Sequence, residues 1–382
     1  MTDTTLQVPQ GAFTLSRLPQ RRRELLRAWD AADEYLLEAL AEQLLLHDGV
    51  RILIVNDAFG ALAVALAHYR PQSLSDSWLC HAATRLNLQA NGIAAEAVTL
   101  LDTLTPPDTS QGAPDLVLIK VPKTLALLED ELCRLLPLLS AQSRVIVAGM
   151  QKGLPSSVWP LLERLCGPTT TALARKKAKL IFAEPLRAGE APASPYPVCY
   201  PLEGTGFRIC NHANVFSRDS LDIGTRFFLQ HLPAPLDDND VVDLGCGNGV
   251  VGLVAAARNP RARLHFVDES FMALASAREN FHHNLGDGRD ATFQVGDALS
   301  GFAAHSADVV LCNPPFHQGN VVGDQIAQRM FRQAHQVLRS GGELWVIGNR
   351  HLGYHQGLKR LFGNAELIAS NAKFVILRAV LQ

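Results

Sequence analysis

Short apolar runs alternate with helical patterns along most of the chain. Apolar residues recur at helical spacing between residues 23 and 46, and a strand of buried type follows at residues 51–57. Two more helices are predicted at residues 61–68 and 82–91. Further strands are predicted at residues 116–121, 145–149 and 178–182. This alternation predicts an α/β fold, in which a parallel sheet carries helices on its faces.

A second alternation fills the rest of the chain. Its predicted strands cover residues 241–244, 264–267, 292–295, 309–312, 343–347 and 374–377. The two halves echo each other: residues 55–60, 115–123 and 178–181 match residues 242–247, 308–316 and 372–375, at offsets of 187, 193 and 194. The small drift of the offset predicts a duplication with short insertions. Chance similarity between two α/β sheets is the alternative.

The predicted domains are residues 1–185 and residues 201–382. Residues 186–200 between them are rich in Pro and Ala and lack periodicity, which is typical of a linker. Residues 1–20 are polar and predict no regular structure. The chain length of 382 residues is sufficient for two such domains.

Composition limits the classes of function. Hydrophobic residues make up 47%, charged residues 19%, and the formal net charge is −2, so nucleic-acid binding would depend on local basic patches. The seven cysteines form no Cys-x-x-Cys pair and no zinc-type cluster with histidine, which predicts reduced thiols and no metal site. No signal-peptide pattern or long apolar stretch is present, and we therefore expect a cytoplasmic protein without a membrane partner.

The chemically most informative stretch is Asn313-Pro314-Pro315-Phe316, directly after a predicted strand. Proline cannot continue the strand, so Asn313 is held at the carboxyl end, where ligands bind in open α/β sheets. The Asn313 side-chain oxygen and the Pro314 carbonyl could accept both N–H groups of an amino group on a planar nitrogen, and Phe316 could stack on its ring. The stretch alone could equally be a strand terminator followed by a core phenylalanine.

A second motif is Asp243-Leu244-Gly245-Cys246-Gly247-Asn248-Gly249, between a strand and a helix. Its glycines permit a tight turn that presents N–H groups to a ligand at a helix amino end. A dinucleotide loop is the alternative, but Asp243 would repel a pyrophosphate. The next strand ends at Asp268, whose carboxylate could accept both hydroxyls of an adenosine ribose. Glu269 is the alternative acceptor, and capping of the following helix is the structural alternative for Asp268.

The glycine motif resembles the first motif of class I S-adenosylmethionine-dependent methyltransferases. The resemblance implies that the Gly245–Gly249 loop, including Cys246 and Asn248, binds the cofactor with help from Asp243. It also places Asp297 against the adenine amino group and Ala298 near the adenine ring, and it brings Asn313 to the cofactor. Cys246 and Cys312 are interpreted as packing residues.

Nearly the whole chain, apart from the first twenty residues and the linker, resembles the bacterial ribosomal RNA guanine-N2 methyltransferases. The second half carries the resemblance through residues 211–226, the glycine loop, residues 266–270 and residues 312–317. The first half, at residues 28–37, 56–62, 120–129 and 168–171, is similar to the large-subunit members. The resemblance implies two tandem Rossmann-like class I methyltransferase domains from a duplication, the N-terminal one degenerate.

The first half departs from the cofactor pattern. By sequence alignment Ala58, Phe59 and Leu62 occupy the positions of Gly245, Cys246 and Gly249, and residues 120–123 replace residues 313–316. We therefore expect that this half neither binds S-adenosylmethionine nor catalyses. It is predicted to hold RNA through basic side chains, for which a purely structural role is the alternative. The predicted RNA-binding residues are Lys120, Lys123, Arg175, Lys176, Lys177 and Lys179.

The function that follows is methyl transfer from S-adenosylmethionine to N2 of a guanine in 23S ribosomal RNA, with Asn313, Pro314 and Phe316 as the catalytic residues. A guanine in 16S ribosomal RNA is an alternative substrate. A protein glutamine N5-methyltransferase would share the second half, but the duplication argues against it. A non-catalytic RNA-binding assembly factor would need a damaged cofactor loop.

Overall fold

The computed structural model describes residues 3–20, 24–236, 239–315 and 321–382. It divides into two compact units, Met1–Tyr196 and Pro197–Gln382. Each unit contains its own hydrophobic cores on the two faces of a central sheet.

The first unit contains nine strands and five helices among its described residues. They are β1 (Thr5–Val8), β2 (Gly11–Thr14), α1 (Ala31–Glu42), β3 (Ile52–Val55), α2 (Ala61–Ala65), β4 (Gln72–Leu74), α3 (Trp78–Ala90), β5 (Thr99–Leu101), β6 (Leu116–Lys120), α4 (Leu125–Leu135), β7 (Arg144–Met150), α5 (Val158–Leu165), β8 (Thr169–Thr171) and β9 (Ala178–Ala183).

The second unit repeats this order. Its described elements are β10 (Val198–Pro201), β11 (Arg208–Asn211), α6 (Ile223–Leu229), β12 (Asp240–Leu244), α7 (Val250–Arg258), β13 (Arg263–Asp268), α8 (Phe271–Leu285), β14 (Ala291–Val295), β15 (Ala307–Cys312), α9 (Val321–Val337), β16 (Leu338–Asn349), α10 (Tyr354–Phe362), β17 (Glu366–Ser370) and β18 (Phe374–Val380).

Both central sheets have seven strands in the same spatial order, β5-β4-β3-β6-β7-β9-β8 and β14-β13-β12-β15-β16-β18-β17. The first five strands of each sheet are parallel, and the last two run antiparallel to their neighbours. The innermost strands are apolar on both faces because helices cover both. The predicted α/β fold with two tandem Rossmann-like domains is confirmed.

The duplication extends to the chain start, where the sequence predicted no regular structure. Residues 5–14 form the hairpin β1–β2, which corresponds to the hairpin β10–β11 in the second unit. Asn91, the residue that caps the carboxyl end of α3, exchanges two 2.8 Å hydrogen bonds with the backbone of Thr14. Asn284 of α8 does the same with the backbone of Arg208, at 3.0 and 2.9 Å. The prediction that residues 1–20 form no regular structure was therefore wrong. The backbone groups of this hairpin pair with side chains that are distant in sequence.

The segment predicted as a linker is divided between the two units. Ser194 donates a 2.6 Å hydrogen bond to Asp130, and Tyr196 donates one of 3.1 Å to Glu129, so both residues pack on α4 of the first unit. Residues 198–200 belong to β10 of the second unit. The boundary between the units falls after Tyr196.

Two of the seven cysteines are not free thiols, which corrects the prediction of a fully reduced set. Cys199 and Cys210 lie opposite each other in the β10–β11 register and form a disulfide. The pairing escaped sequence analysis because the hairpin, and not a Cys-x-x-Cys spacing, brings the residues together. The other five cysteines are buried thiols.

Within the described ranges, no helix has the length and apolar character needed to cross a membrane. The same ranges contain no grouping of His, Cys, Asp and Glu side chains suited to hold a metal ion.

Candidate active site

The carboxyl ends of four neighbouring strands in the second unit bring the predicted site residues to one sheet edge. The order is β14-β13-β12-β15, and Leu244 at the end of β12 lies opposite Val267 of β13 and Cys312 of β15. The glycine loop, Asp268 and Asn313 follow directly from these positions. Asp297 lies just beyond β14. The ordered set predicted from sequence is therefore one contiguous edge.

The glycine loop needs its glycines for the shape of the backbone. Gly245, Gly247 and Gly249 have φ angles of 70°, 53° and 76°, the left-handed region that side chains other than glycine rarely adopt. A Cβ on Gly249 would lie 2.8 Å from the Cβ of Ala277, whereas one on Gly247 would meet nothing within 4 Å. The loop therefore packs tightly against α8 at one end and leaves open space at Gly247.

Asp243 is a buried residue that links the end of β12 to the first turn of α7. Its side chain is 3% exposed, and its Oδ2 accepts a 2.8 Å hydrogen bond from the Gly252 amide in the first turn of α7. Burial raises the pKa of Asp243 to about 8, with the Asp268 charge adding to the effect. Burial likewise raises the pKa of the Cys246 thiol well above its ordinary value. Both residues thus organise the loop, and Cys246 has the environment of a packing residue.

Asn248 is held at three points. Its Oδ1 accepts a 3.2 Å hydrogen bond from the Val250 amide, its Nδ2 lies 3.4 Å from the Tyr200 hydroxyl, and its carbonyl accepts a 3.0 Å bond from Asn280. The hairpin residue Tyr200 and the α8 residue Asn280 were not identified from the sequence. Both act on the loop from elements that only the folded chain brings together.

Asp268 links the loop to the end of β13. Its Oδ2 accepts a 2.9 Å hydrogen bond from the Gly247 amide, and its Oδ1 accepts one of 3.0 Å from the Ser270 amide. Burial raises the pKa of Asp268 despite these bonds. Ser270, and not Asp268, supplies the side-chain cap of α8, through a 3.0 Å bond from the Ala273 amide. Glu269 beside it is exposed, so Asp268 is the better placed of the two candidate ribose acceptors.

Asp297 is paired within the fold. Arg329 of α9 contacts both of its carboxylate oxygens, with a shortest distance of 2.5 Å. Burial raises the pKa of Asp297, and Arg329 opposes this rise. The adjacent Ala298 has a φ of 48°, in the left-handed region, within the segment between β14 and β15. Arg329 is a site residue that sequence analysis missed, since nothing in the local sequence marks it as the partner of Asp297.

Asn313 has a fixed amide orientation. Its Nδ2 donates a 3.0 Å hydrogen bond to the Thr225 hydroxyl of α6, while its buried Oδ1 has no hydrogen-bond partner among the described residues. Pro314 follows as a buried residue and Pro315 is exposed. Phe316, predicted to stack on the substrate, lies outside the described residues. The geometry leaves the Asn313 oxygen available to accept a hydrogen bond from an incoming donor.

Thr225 is therefore expected to act as a positioning residue. Thr225→Val removes the hydroxyl that fixes the Asn313 amide, and we expect kcat to fall about tenfold while cofactor affinity stays unchanged. Thr225→Ser keeps the hydroxyl and should retain near-normal kcat. Steady-state kinetics and calorimetric binding of S-adenosylhomocysteine distinguish the two effects. Equal losses in the Val and Ser variants would contradict this role.

The first unit has a corresponding edge, but its register differs from the sequence alignment. Gly60 and Gly249 both precede the following helix with positive φ, which gives an offset of 189 in place of 187. Asn56, with a φ of 64°, thus takes the position of Gly245, and its amide bonds the end of the neighbouring strand as Gly245 does. Asp57 and Ala58 take the positions of Cys246 and Gly247. The alignment to Ala58, Phe59 and Leu62 was wrong, although two of the three loop glycines are indeed replaced.

Lys120 occupies the position of Asn313, as predicted, because Ile119 and Cys312 have equivalent partners in the two sheets. Its Nζ lies 2.9 Å from Asp30 and 2.6 Å from Asp33 at the start of α1, and its side chain is only 12% exposed. Asp33 is the third residue of its helix, as Thr225 is in α6. An internal ion pair therefore stands where the second unit has Asn313 and Thr225, and this compensated charge argues against the predicted contact of Lys120 with RNA.

The remaining predicted basic residues differ in their surroundings. Arg175 makes two bonds to Glu42, at 2.7 and 2.9 Å, and Lys176 lies 2.6 Å from Glu34. Lys179 lies over the Trp159 ring at 5.6 Å. Arg175 and Lys176 are thus charge-compensated, which weakens them as phosphate ligands. Lys123 and Lys177 are exposed at the carboxyl edge of the first sheet.

The buried carboxyl group of Asp57 should make stability depend on pH. It is 1% exposed and accepts a 2.8 Å bond from the Ala63 amide, and burial, reinforced by Asp33, raises its pKa to about 7. A raised folded-state pKa gives stability that is present at low pH and lost as the pH rises through 7. Relative to Asp57→Asn, we expect wild type to lose up to about 1.4 kcal/mol per pH unit between pH 5 and 7.

Urea unfolding of wild type and of Asp57→Asn at a series of pH values measures how the free energy of unfolding of each protein depends on pH. Asp48→Asn removes an exposed carboxylate from the same unit and serves as the control. Parallel stability curves for wild type and Asp57→Asn would show that Asp57 does not titrate in this range.

The second-unit edge fits S-adenosylmethionine. It offers open space at Gly247, carboxylate acceptors at two neighbouring strand ends, and at Asn313 a buried acceptor that has no partner among the described residues. The corresponding edge of the first unit lacks Asn313 and two of the loop glycines. The residues at the two edges thus agree with a cofactor site in the second unit and with its loss in the first unit.

Comparison with known proteins assigns each half. Residues 3–187 match the family model of the RLMG N-terminal domain, and residues 206–378 match that of the methyltransferase small domain. Proteins named "Ribosomal RNA large subunit methyltransferase G" share about half of their residues with this chain. The protein of Streptomyces coelicolor is 51% identical, with 98% of this chain and 100% of that protein covered. That of Pseudomonas aeruginosa PAO1 is 52% identical, with 97% and 98% covered.

Among solved structures, the 16S rRNA N2 methyltransferase (RsmC) of T. thermophilus, in complex with AdoMet and guanosine, aligns with a TM-score of 0.78. The alignment covers 99% of this chain and 98% of that chain at 21% sequence identity, which shows a similarity of fold. The fold and the site define a class I S-adenosylmethionine-dependent methyltransferase. More narrowly, the chain belongs to the ribosomal RNA large subunit methyltransferase G family.

Proposed function

We propose that the protein transfers a methyl group from S-adenosylmethionine to N2 of a guanine in 23S ribosomal RNA. The observation that carries this proposal is the buried Asn313 side-chain oxygen. Within the part of the chain that the structure describes it has no hydrogen-bond partner, while the Asn313 amide nitrogen is held by Thr225. The names of the relatives, which refer to the large ribosomal subunit, support the choice of RNA.

The chemistry requires positioning more than activation. An exocyclic amino group is a poor nucleophile because its lone pair is delocalised into the ring. S-adenosylmethionine supplies an electrophilic methyl group. Asn313 Oδ1 and the Pro314 carbonyl accept the two N–H groups of the amine, which aligns its lone pair with that methyl group. The new N–C bond forms as the S–C bond breaks, and the amine releases one proton to water.

The base has to leave its stack to reach a strand-end site. Phe216 is 69% exposed in the segment that leads to Thr225, and Ile223, two residues before Thr225, is 55% exposed. Exposed apolar side chains next to a polar site suit contact with an unstacked base. The proposal therefore includes Phe216 and Ile223 in the surface that contacts RNA.

Labelled S-adenosylmethionine with separated 23S RNA, 16S RNA and protein fractions tests the proposal. We expect label in 23S RNA, released as N2-methylguanosine on nucleoside digestion. Label in 16S RNA or in glutamine would support one of the alternative substrates instead. Binding of RNA without any transfer would indicate an assembly factor.

We further propose that the first unit binds RNA without catalysing transfer. Lys123 and Lys177 lie at the carboxyl edge of its sheet, where no ion pair within the described residues compensates them. Each phosphate contact contributes to the salt dependence of binding, so free lysines at this edge would steepen it.

The double variant Lys123→Glu/Lys177→Glu should weaken RNA binding about tenfold and reduce the slope of log affinity against log salt by one to two, which is about 0.9 per contact. Arg70→Glu/Arg144→Glu makes the same charge change at the amino ends of β4 and β7, the opposite edge, and serves as the control. Filter binding across a salt series measures both. If both double variants weakened RNA binding equally, the loss would reflect the change in net charge and would contradict a specific contact at the carboxyl edge.

A further inference from the structure

The strand next to β15 also ends in a buried asparagine. Asn349 is the last residue of β16, and it is 7% exposed. Its Oδ1 is buried and has no hydrogen-bond partner among the described residues, and the same is true of the Oδ1 of Asn313. A buried polar atom without a partner costs stability, and such atoms are rare unless a ligand or water completes them.

Asn313 and Asn349 lie on the same face of the sheet. Leu311 pairs with Trp345 in the parallel ladder, and both belong to the core that includes Phe228 of α6. Asn313 and Asn349 lie two and four residues farther along these strands, so the alternation of side chains places both on this face. Neighbouring strands are about 4.8 Å apart and each residue adds about 3.3 Å, so the two amides can contact one base.

The first turn of α6 lies over both strand ends. Its Thr225 holds the Asn313 amide nitrogen, and a Cβ on the preceding Gly224 would lie 3.1 Å from the Phe374 ring. Phe374 pairs with Asn349 in the ladder between β16 and β18. The same helix turn thus contacts Asn313 and the direct neighbour of Asn349, which places Asn349 at the border of the candidate active site.

Capping of the following turn is the structural alternative for Asn349. It stands at the N-cap of the 3₁₀ helix Arg350–Leu352, but within the described part of the chain its side chain makes no capping hydrogen bond. An asparagine at an N-cap ordinarily accepts such a bond at its side-chain oxygen. The buried oxygen therefore does not serve the helix that it could have capped.

The first unit shows which residue suits this strand end where the edge has lost its amide acceptor. β6 pairs with β7 in the same register as β15 with β16, which makes Met150 the counterpart of Asn349. The glycine before it is retained, as Gly149 in one unit and Gly348 in the other. Met150 packs against the core of the first unit. The unit whose edge lacks Asn313 therefore also lacks the second amide, although the register of its strands is the same.

Two neighbouring acceptors match one of the four bases. On the Watson–Crick edge of guanine, the exocyclic amine at N2 lies beside a ring N–H at N1. In adenine and cytosine the ring nitrogen beside the amine is an acceptor, and uracil has no exocyclic amine. A second acceptor next to Asn313 therefore suits guanine, whereas adenine or cytosine would place acceptor against acceptor.

We propose that Asn349 selects guanine, by accepting the N1–H of the substrate base at Oδ1 while Asn313 accepts an N–H of the N2 amine. This inference rests on the proposed function, because it concerns the base that the second unit methylates. A buried site that hydrogen-bonds one group of its substrate rejects the analogue that lacks this group, since the polar atom of the site is then left unpaired.

Equilibrium dialysis of nucleosides against the full chain, saturated with S-adenosylhomocysteine, tests this contact. 2-Aminopurine riboside keeps the N2 amine of guanosine but has an acceptor at N1, whereas inosine keeps the N1–H but lacks the amine. We expect guanosine to bind about tenfold more tightly than either analogue, because each analogue leaves one buried oxygen unpaired. Guanosine without any preference over 2-aminopurine riboside would overturn the proposal.

Variants at position 349 assign that preference to one side chain. Asn349→Met introduces the residue of the first unit, and it should abolish the preference over 2-aminopurine riboside while the preference over inosine remains. Asn349→Asp keeps an acceptor of the same size and should retain a preference of about fivefold. Gln356→Met replaces an amide at an exposed position of α10 and is the control. An Asn349→Met chain with the wild-type preference would overturn the proposal.

Methyl transfer to 23S RNA is the second readout. Asn349→Met should lower kcat/KM about tenfold without a loss of S-adenosylhomocysteine affinity or a lower midpoint of urea unfolding, since methionine suits the same place in the first unit. If wild type and Asn349→Met methylate 23S RNA equally well, the role of Asn349 is refuted and the proposed function stands. If wild type methylates no RNA but shows the guanosine preference that Asn349→Met abolishes, the proposed function is refuted and the recognition of guanine stands.

Discussion

Asn313→Ala is expected to reduce methyl transfer by at least about a hundredfold, comparable to the loss of a single positioned polar group in other active sites. The variant removes a buried acceptor at the end of β15 that has no hydrogen-bond partner among the described residues, and it leaves the glycine loop and Asp268 untouched. Cofactor affinity should therefore stay within about twofold of wild type. Single-turnover transfer with 23S RNA and calorimetry with S-adenosylhomocysteine measure the two quantities.

Asn313→Asp is the matched variant for this prediction. It retains an acceptor of the same size but loses the N–H that bonds Thr225. We expect its activity to lie between those of wild type and Asn313→Ala. An alanine variant with wild-type transfer would remove Asn313 from the mechanism.

Asp268→Ala is expected to weaken cofactor binding by about a hundredfold, since hydrogen bonds to a charged group contribute about 1.5–3 kcal/mol each. The carboxylate accepts bonds from the Gly247 and Ser270 amides, so its loss frees the loop as well as removing a ribose acceptor. Calorimetric titration with S-adenosylhomocysteine gives the affinity, and circular dichroism monitors the fold.

Glu269→Ala is the control, because this exposed neighbour was the alternative acceptor in the sequence. The affinity of Glu269→Ala for S-adenosylhomocysteine should remain within about threefold of the wild-type affinity. If Glu269→Ala caused the larger loss, the assignment of the two carboxylates would have to be exchanged.

The sequence predicted what is local and periodic. The alternation of strands and helices, the glycine loop, Asp268 and Asn313 are each encoded within a few consecutive residues, and the parallel sheet necessarily aligns the strand ends. The equivalence of Lys120 with Asn313 was predictable for the same reason, because the two strands match in length and in apolar pattern.

The parts that failed depend on contacts between distant residues. The hairpin at residues 5–14 has a polar sequence, and its register is fixed by Asn91 some 77 residues away. The disulfide depends on that same kind of hairpin in the second unit. The partners of Lys120 lie 87 and 90 residues earlier in the chain. Side-chain pairing over such separations leaves no periodic signal.

The alignment of the first-half loop failed for a different reason. Asn56 adopts the left-handed backbone of Gly245, and Asp57 supplies the carboxylate that bonds the helix amide, as Asp243 does from an earlier position. Asparagine tolerates this conformation better than most residues. The two loops thus share a shape while their acidic residues fall out of alignment.

The ion pair of Lys120 also makes the divergence of the two halves difficult to reverse. Restoring asparagine at position 120 would leave the carboxylates of Asp30 and Asp33 without their cation, and Asp33 has only 8% of its side chain exposed. Removing one partner of a buried ion pair costs about 3–5 kcal/mol. A first half that regained its amide in a single mutational step would be less stable and still lack two loop glycines. A substitution of Lys120 would therefore have to be accompanied by substitutions of Asp30 and Asp33.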